Sequence, residues 1–462
     1  MAIDPGVFRA YDIRGKYPAG INTELAELLG RAFGTYVAEH EGGAEIAVGR
    51  DNRASGPELQ SALIRGLLST GATVYNIGMA TSPALYFSVG HWGLAGGVNV
   101  SGSHNPPDEN GFKLVGRGNR PIAGDEILAV KQVLDAGTFR SGEGKASERE
   151  IKPEYFAHLK SITKLSRRFR VAVDTGNGVA GLYAPPLLRE LGCELVEIHT
   201  ELDNTYPNHL PDPQMPENVV CLQEKVRASG ADIGLAFDGD GDRLGVIDER
   251  GERHEAEFFF ALLAFAVLNE QPGSRIIMDV KATQPVVDAL TERGGKPEIW
   301  RTGHSYIKMR MRETKTPLGG EASGHIFYAE NFYSDDALFA ACKLLNYLSQ
   351  SDEPLSAHIG RIPHWLTTPE IRVPCADDKK WEVVKKLATY LRGRYPALEI
   401  DGIRAPYPAE DRWALVRASN TGPNLTLRFE AKTQAGLDAI SDEVLGELRK
   451  HVDVPETPAV GH

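Results

Sequence analysis

The chain is poor in cysteine: Cys193, Cys221, Cys342 and Cys375 are the only four in 462 residues, far apart and forming no Cys-x-x-Cys pair. That argues against a disulfide framework and for free thiols in a reducing cytoplasm. A basic excess is also missing. Against 63 Asp and Glu stand 51 Lys and Arg, a net charge of −12. This argues against a general nucleic-acid or membrane-surface role, and an anionic substrate would need a local basic cluster. The longest apolar run, Phe258 to Leu268, falls short of the ~20 residues that span a bilayer and reads as a buried helix. Met1 to Pro5 shows no basic segment leading into an apolar one, so no signal peptide is expected. Charged residues at 25% and hydrophobic ones at 42% describe an ordinary soluble globular protein.

At this length several domains are expected, since single cores stop growing near ~250–300 residues. Strand-like runs alternate with helix-like segments: Ile46–Val48, then 57–68, then Thr73–Ile77, then 97–100. That rhythm predicts mostly parallel sheets with helices on their faces. It pauses at Ser141–Lys145, a polar stretch expected to be a linker, and restarts at Phe169–Asp174. A break at Asp248–Glu252 precedes the apolar helix and a strand from Arg275 to Asp279. From about Leu366 a helix (379–394), two strands (413–417 and 425–430) and a closing helix (435–452) read as α+β. The fold class is therefore α/β, in four units at 1–148, 149–250, 251–365 and 366–462.

The most informative stretch is Ala236 to Arg243, where Asp238, Asp240 and Asp242 are separated by Gly239 and Gly241. Apolar runs on either side, 233–237 and 244–247, put these carboxylates on a turn between strands. Carboxylates this close need a cation, and an all-oxygen donor set suits magnesium or calcium over zinc. Three Asp leave an octahedral ion short of ligands, to be completed by water or a phosphate oxygen. A calcium EF-hand matches at Asp238, Asp240, Asp242 and Glu249, but its glycine position is Arg243 and the flanks read as strand.

Ser101 to Pro107 follows the 97–100 strand and predicts an exposed loop at a sheet end, with Ser103 as candidate nucleophile. Pro106 and Pro107 are incompatible with a strand-turn-helix nucleophile elbow. Gly176 to Gly181 satisfies G-x-G-x-x-G, with Glu201 downstream, so a nicotinamide-dependent oxidoreductase is an alternative reading. Three further loops gather polar groups: 303–305, 319–325 and 417–422. The second offers Glu321, Ser323 and His325 for vicinal sugar hydroxyls. The third offers Arg417, Ser419, Asn420, Thr421 and free N–H groups as a phosphate cradle.

Together with Phe8–Gly15, Asn110–Lys113 and Ser103–Pro106, these motifs make the chain resemble the α-D-phosphohexomutases, most closely the bacterial phosphomannomutase/phosphoglucomutase group, over almost its whole length. The resemblance implies four domains around a central cleft, carrying in turn a phosphoserine loop, a metal loop, a sugar loop and a phosphate loop. It implies that Ser103 carries a phosphoryl group and that Mg2+ is held by Asp238, Asp240, Asp242 and an oxygen of that phosphoserine. The reaction implied is reversible phosphoryl transfer between C1 and C6 of mannose and glucose phosphates, through a hexose 1,6-bisphosphate. Arg14, Lys113, His325 and His104 match the family's groups for proton transfer and charge stabilisation. Tyr11 and Arg243 match cleft residues, Glu321 and Ser323 the pair gripping the 3- and 4-hydroxyls, and Lys281 and His304 contacts to ring or phosphate. Arg417, Ser419, Asn420 and Thr421 match the distal phosphate clamp. In this family the Gly176 pattern recurs as a structural turn. Gly422 and Ala322 depart from the usual residues, which keeps glucosamine phosphates within reach. Hexose phosphates are the expected partners, with a monomer expected, oligomers left open, and no nucleic acid or membrane. A non-catalytic sugar-phosphate-binding protein is a further alternative.

Overall fold

Four sheets organise the chain in a computed structural model that describes residues 5–9, 11–407, 411–419, 422–455 and 459–461. The first sheet has the strand order Ile13–Lys16, Glu109–Gly116, Gly96–Val100, Glu45–Arg50, Thr73–Met79, Lys145–Glu148, with Arg120–Pro121 added beside Glu109–Gly116. Its central strands run parallel, while Glu109–Gly116 is antiparallel to both neighbours. The second sheet orders Arg253–His254, Leu244–Asp248, Ile233–Phe237, Arg170–Asp174 and Glu194–Ile198. The third orders Lys296–Trp300, Arg275–Asp279, Leu318–Gly320, Ile326–Tyr328 and Ser334–Asp335. The fourth is antiparallel, built around Arg412–Ala418 and Asn424–Ala431 and backed by the helices Lys380–Arg392 and Gln434–Leu448. The α/β class with a C-terminal α+β unit is what the alternation predicted.

Local chemistry explains the elements. Ile233–Phe237 is apolar throughout because both faces are covered; every residue of it is buried. The helix Thr23–His40 starts where Asn22 accepts the Leu25 N–H at 2.9 Å. Phe258 to Leu268 lies within the helix Ala256–Glu270, whose apolar residues face protein all round.

One expectation needs correction. Lys145, placed in a linker, begins an edge strand that pairs with Thr73–Asn76, and Gly142 bridges to Thr70. Its four residues are all exposed, so an edge strand without a buried face reads as polar linker. In the second sheet the short strand Arg253–His254 pairs with Leu244–Asp248. A two-residue strand leaves no periodicity to read.

One apolar core runs from Phe87 in the first unit through Tyr155 and Leu235 to Phe259 and Leu345, while the first unit also has a separate core of its own, from Val7 to Leu134. The fourth unit has its own core, from Val373 to Leu448. It docks on the third through polar contacts around Trp413, which is completely buried beside Val280 and Leu415. The Arg404 guanidinium stacks on the Trp413 ring at 3.9 Å and donates to the carbonyls of Val280 and Ala282 at 2.8 and 2.7 Å. Arg428 donates to the Lys281 carbonyl at 2.8 Å and pairs with Glu257 at 3.1 Å. Glu430 accepts from Thr283 and from the Trp413 indole N–H. Among the described residues no helix is long and apolar enough to cross a membrane.

Trp413→Ala is expected to cost on the order of 3–5 kcal/mol at this junction, since it empties a fully buried site. The fourth unit should then unfold ahead of the rest, read as a split denaturation curve against the wild type.

Candidate active site

One cleft of about 730 Å³ opens where loops of all four units converge. Of the residues singled out from sequence, Tyr11, Arg14, Ser103, His104, Lys113, Asp242, Arg243, Lys281, His304, Glu321, Ser323, His325, Arg417 and Ser419 line it. Asp238 and Asp240 are fully buried in the same turn as Asp242. Asn420 and Thr421 lie outside the described residues. Arg9, Lys16 and Arg372 join the cationic wall. The local basic cluster required by a net charge of −12 is therefore present.

The acidic turn caps the antiparallel hairpin formed by Ile233–Phe237 and Leu244–Asp248. Gly241 takes a φ of +78°, a left-handed value that glycine adopts without strain. Asp238 Oδ1 accepts the N–H groups of Asp242 and Arg243 at 2.9 and 3.1 Å, which curls the turn inward. One oxygen of each Asp lies within 4.8 Å of the others. Asp240 Oδ1 and Asp242 Oδ1 are buried without a hydrogen-bond partner. Lys113 Nζ contacts Asp240 Oδ2 and Asp242 Oδ2, each at 2.6 Å. One ammonium does not balance three carboxylates. The orphaned oxygens and the oxygen-only donor set fit a hard divalent cation. The EF-hand pattern fails here, because strands flank the turn and Glu249 is spent on the Ser356 N–H at 3.2 Å.

The charges push one another's titration. Burial and then the neighbouring Asp242 and Asp240 hold the Asp238 carboxyl well above its ordinary range. Burial works the same way on Asp240, but Lys113, Ser82 and Ser101 overcome it and hold that carboxyl low. The Lys113 ammonium is depressed by burial and raised more strongly by Asp240 and Asp242, ending well above its usual value. Burial, with Arg243 and Arg14 nearby, keeps the His104 imidazole neutral.

Ser103 Oγ donates to Asp238 Oδ2 at 2.8 Å and lies 3.2 Å from His104 Nδ1. The loop was expected to be exposed; Pro106 and Pro107 are, yet Ser103 is 3% exposed. Arg53 explains the difference. Its buried guanidinium pairs with Asp51 at 3.2 Å and donates to the carbonyls of Ser103 and Asn105 at 2.9 and 2.6 Å. Asp51 in turn accepts the Gly102 N–H at 3.0 Å. The polar loop composition is satisfied by protein, not solvent.

On the facing wall, Glu321 accepts the Gly303 N–H at 2.5 Å and the Ser323 hydroxyl at 3.0 Å. His325 Nε2 receives Arg243 Nε at 3.1 Å, and a backbone bridge joins the same two residues, so the acidic turn and the 321–325 loop are one assembly. His304 packs edge-on against Tyr11, ring centroids 5.1 Å apart. Burial raises the Tyr11 hydroxyl to about 12. At the far end Arg417 pairs with Asp401 at 2.9 Å, and Lys380 Nζ donates to the Ser419 carbonyl at 2.7 Å. Lys281 lies 3.6 Å from Glu370.

Sequence reasoning missed Arg53 and Asp51, although Arg-Asp-Asn-Arg at a strand end was a visible charge cluster. It also missed Asp335, which lies beside His325 and His304 at 3.3 and 3.6 Å and beside Lys308 at 2.5 Å. Nothing near Asp335 in sequence announces these partners. Gly176–Gly181 binds no ligand surface in the cleft. A Cβ on Gly178 would meet the Gly239 Cα at 2.9 Å, and one on Gly181 the Thr200 carbonyl oxygen at 2.2 Å. These glycines permit chain crossings behind the acidic turn.

Comparison with known proteins agrees with this geometry. Residues 5–141, 153–251 and 256–364 match the phosphoglucomutase/phosphomannomutase alpha/beta/alpha domains I, II and III, and residues 370–447 match the C-terminal domain of the same family. A phosphomannomutase/phosphoglucomutase of Pseudomonas aeruginosa is 41% identical over 446 residues, covering 96% of this chain and 95% of that protein. A phosphoglucomutase of Neisseria gonorrhoeae is 40% identical over 447 residues, covering 96% of each. The crystal structure of a phosphoglucomutase/phosphomannomutase family protein from Burkholderia thailandensis superposes with a TM-score of 0.92 at 39% identity, covering 98% of this chain and all of that one.

The approach of Ser103 to the acidic turn depends on Gly239, where a Cβ would lie 2.3 Å from the Ser103 carbonyl oxygen. Gly239→Ala is expected to move Ser103 Oγ off Asp238, visible in a crystal structure. A displacement of ~1 Å there should lower turnover about 100-fold.

Proposed function

The chain belongs to the phosphoglucomutase/phosphomannomutase family, and on that premise we propose that Ser103 carries the phosphoryl group it transfers. The enzyme is an isomerase that moves a phosphoryl group within hexose phosphates. The reading extends this to mannose and glucose 1- and 6-phosphates with a hexose 1,6-bisphosphate intermediate. The observation that carries it is the 2.8 Å contact between the Ser103 hydroxyl and Asp238 at the floor of a cationic cleft.

In the first transfer the bond between phosphorus and the Ser103 oxygen breaks and one to the sugar's free hydroxyl forms. That hydroxyl's proton passes to a cleft base, for which the imidazoles of His104 and His325 are the groups within the site, while Lys113 and Arg14 stay charged and stabilise the phosphoryl group in transfer. The bisphosphate then turns over, and the second transfer returns the other phosphoryl group to Ser103. Asp238, Asp240, Asp242 and an oxygen on Ser103 would hold Mg2+, which when bound neutralises charge and stabilises the serine oxygen as leaving group. Arg243 and Lys113 hold positive charge beside the reacting phosphate. Glu321 and Ser323 orient the sugar through its hydroxyls, with Tyr11, His304 and Lys281 along the ring. Arg417, Ser419, Asn420 and Thr421 bind the phosphate that is not reacting. A purely binding protein has no use for a hydroxyl aimed at a cation site. A nicotinamide enzyme would need the Gly176 turn for a ligand, and that turn is filled by chain crossings.

Ser103→Ala should lower isomerisation by at least about three orders of magnitude, and Asp240→Asn should weaken both Mg2+ binding and rate. Full activity in either variant would falsify the mechanism. With Mg2+ and a trace of the matching 1,6-bisphosphate, mannose and glucose 1-phosphates should both turn over. Turnover of glucosamine 1-phosphate alone would move the substrate to the aminosugar class.

A further inference from the structure

Outside the cleft, the second unit gathers two imidazoles and a carboxylate that the reaction leaves unused. Asp174 ends the strand Arg170–Asp174, His199 follows the neighbouring strand Glu194–Ile198, and His209 sits in the loop leading back to the cleft. Asp174 is buried, while the side chains of His199 and His209 are 18% and 14% exposed, within reach of water. Asp174 Oδ1 accepts the Gly176 N–H at 2.8 Å. Its Oδ2 faces His199 Nδ1 at 3.2 Å and His209 Nε2 at 3.1 Å.

The tautomer of His209 is set by its other nitrogen. Nδ1 lies 2.8 Å from the Leu210 carbonyl, which only accepts, so Nδ1 carries the proton. A neutral ring then turns the lone pair of Nε2 toward a carboxylate oxygen, an arrangement that needs a cation between them or a second proton on the ring. At 3.1 and 3.2 Å both contacts fall at the long end of the hydrogen-bond range, beyond the ~2.7–2.9 Å usual for a charge-assisted pair. Ligands at ~2.0–2.1 Å from a tetrahedral ion stand roughly 3.3 Å apart, close to what is found. A backbone carbonyl on the remote nitrogen is also how a ligating imidazole is commonly oriented.

We propose that Asp174, His199 and His209 form a second metal site, for Zn2+ or a similar transition ion, with water as fourth ligand. Two nitrogens and one oxygen select such an ion over magnesium, so this site and the oxygen-only aspartate turn discriminate between metals. Its role is to staple the 199–212 segment to the sheet. That segment delivers Pro211, whose carbonyl accepts the Gly239 N–H at 3.1 Å, and Asp212, which lies 3.9 Å from Arg243 on the cleft wall. The ion thus braces the backbone behind the acidic turn without touching substrate.

The test uses untagged full-length protein, stripped with EDTA, dialysed into excess Mg2+ and titrated with Co2+. The expected result is one Co2+ per chain, with the visible absorption of a tetrahedral nitrogen–oxygen site, displaced by Zn2+. His199→Gln and His209→Gln should each weaken Co2+ binding about 100-fold, whereas Asp240→Asn should keep the spectrum. The wild-type melting midpoint should rise on adding Zn2+ and that of His199→Gln should not. His199 follows a strand and is partly exposed, so its variant keeps the test decisive if the His209 variant misfolds. A wild type without the cobalt spectrum, or a spectrum that survives both histidine changes and disappears in Asp240→Asn, overturns the proposal. Asp174 would then be a carboxylate hydrogen-bonded to two rings.

Discussion

Asp238, Asp240 and Asp242 hold their carboxylates within a few ångströms of each other where water has almost no access, and among the described residues Lys113 is the one ammonium in direct contact with them. Like charges in a low-dielectric site repel far more strongly than in water, so this arrangement stands only if its surroundings compensate. Much of the cleft is that compensation. Ser82 and Ser101 donate to Asp240 at 2.5 and 2.9 Å, and Ser103 donates to Asp238. Backbone N–H groups serve the remaining oxygen of Asp238. What is left over, two orphaned oxygens and excess negative charge, is the part that fits a divalent ion.

Rigidity is distributed to match. The first three units are fused through one apolar core, so the serine loop, the acidic turn and the 321–325 loop are fixed relative to each other by packing. Arg53 then sets the serine loop locally, by donating to the carbonyls of Ser103 and Asn105. The fourth unit brings Arg417 and Ser419 from a separate core. Ser103 and the acidic turn are thus carried by the fused body, and Arg417 and Ser419 by the docked unit.

Sequence and structure agree where chemistry is compressed into short motifs. Asp-Gly-Asp-Gly-Asp, Ser-His-Asn-Pro-Pro and Gly-Glu-Ala-Ser-Gly-His state their residue types and the turn that presents them, and the cleft brings them together. Four units were legible because buried strands and helices carry unmistakable periodicity. Asp335 and Lys308 were not legible, because their partners lie up to tens of residues away and a lone charge in sequence carries no address; Arg53 stood in a visible charge cluster, but the carbonyls it binds lie some 50 residues on. The serine loop was read correctly at Pro106 and Pro107, which are exposed, and wrongly at Ser103, because a polar residue held by distant protein groups looks like one held by water. The Gly176 pattern shows the converse error. Its spacing is that of a dinucleotide turn, but small residues are equally needed wherever two backbones cross.

The junction under the fourth unit has a consequence for how such chains diverge and recombine. Arg404 reads carbonyl oxygens, which every sequence supplies, so that contact survives drift in its partner strand. Glu430 with Thr283, and Arg428 with Glu257, are written in side chains on both sides. A crossover between relatives placed near residue 366 would transplant one half of each pair without the other. In chimeric mutases the fourth unit is therefore not a free cassette: it travels intact only with the helix start around Glu257 and the Thr283 turn that it grips.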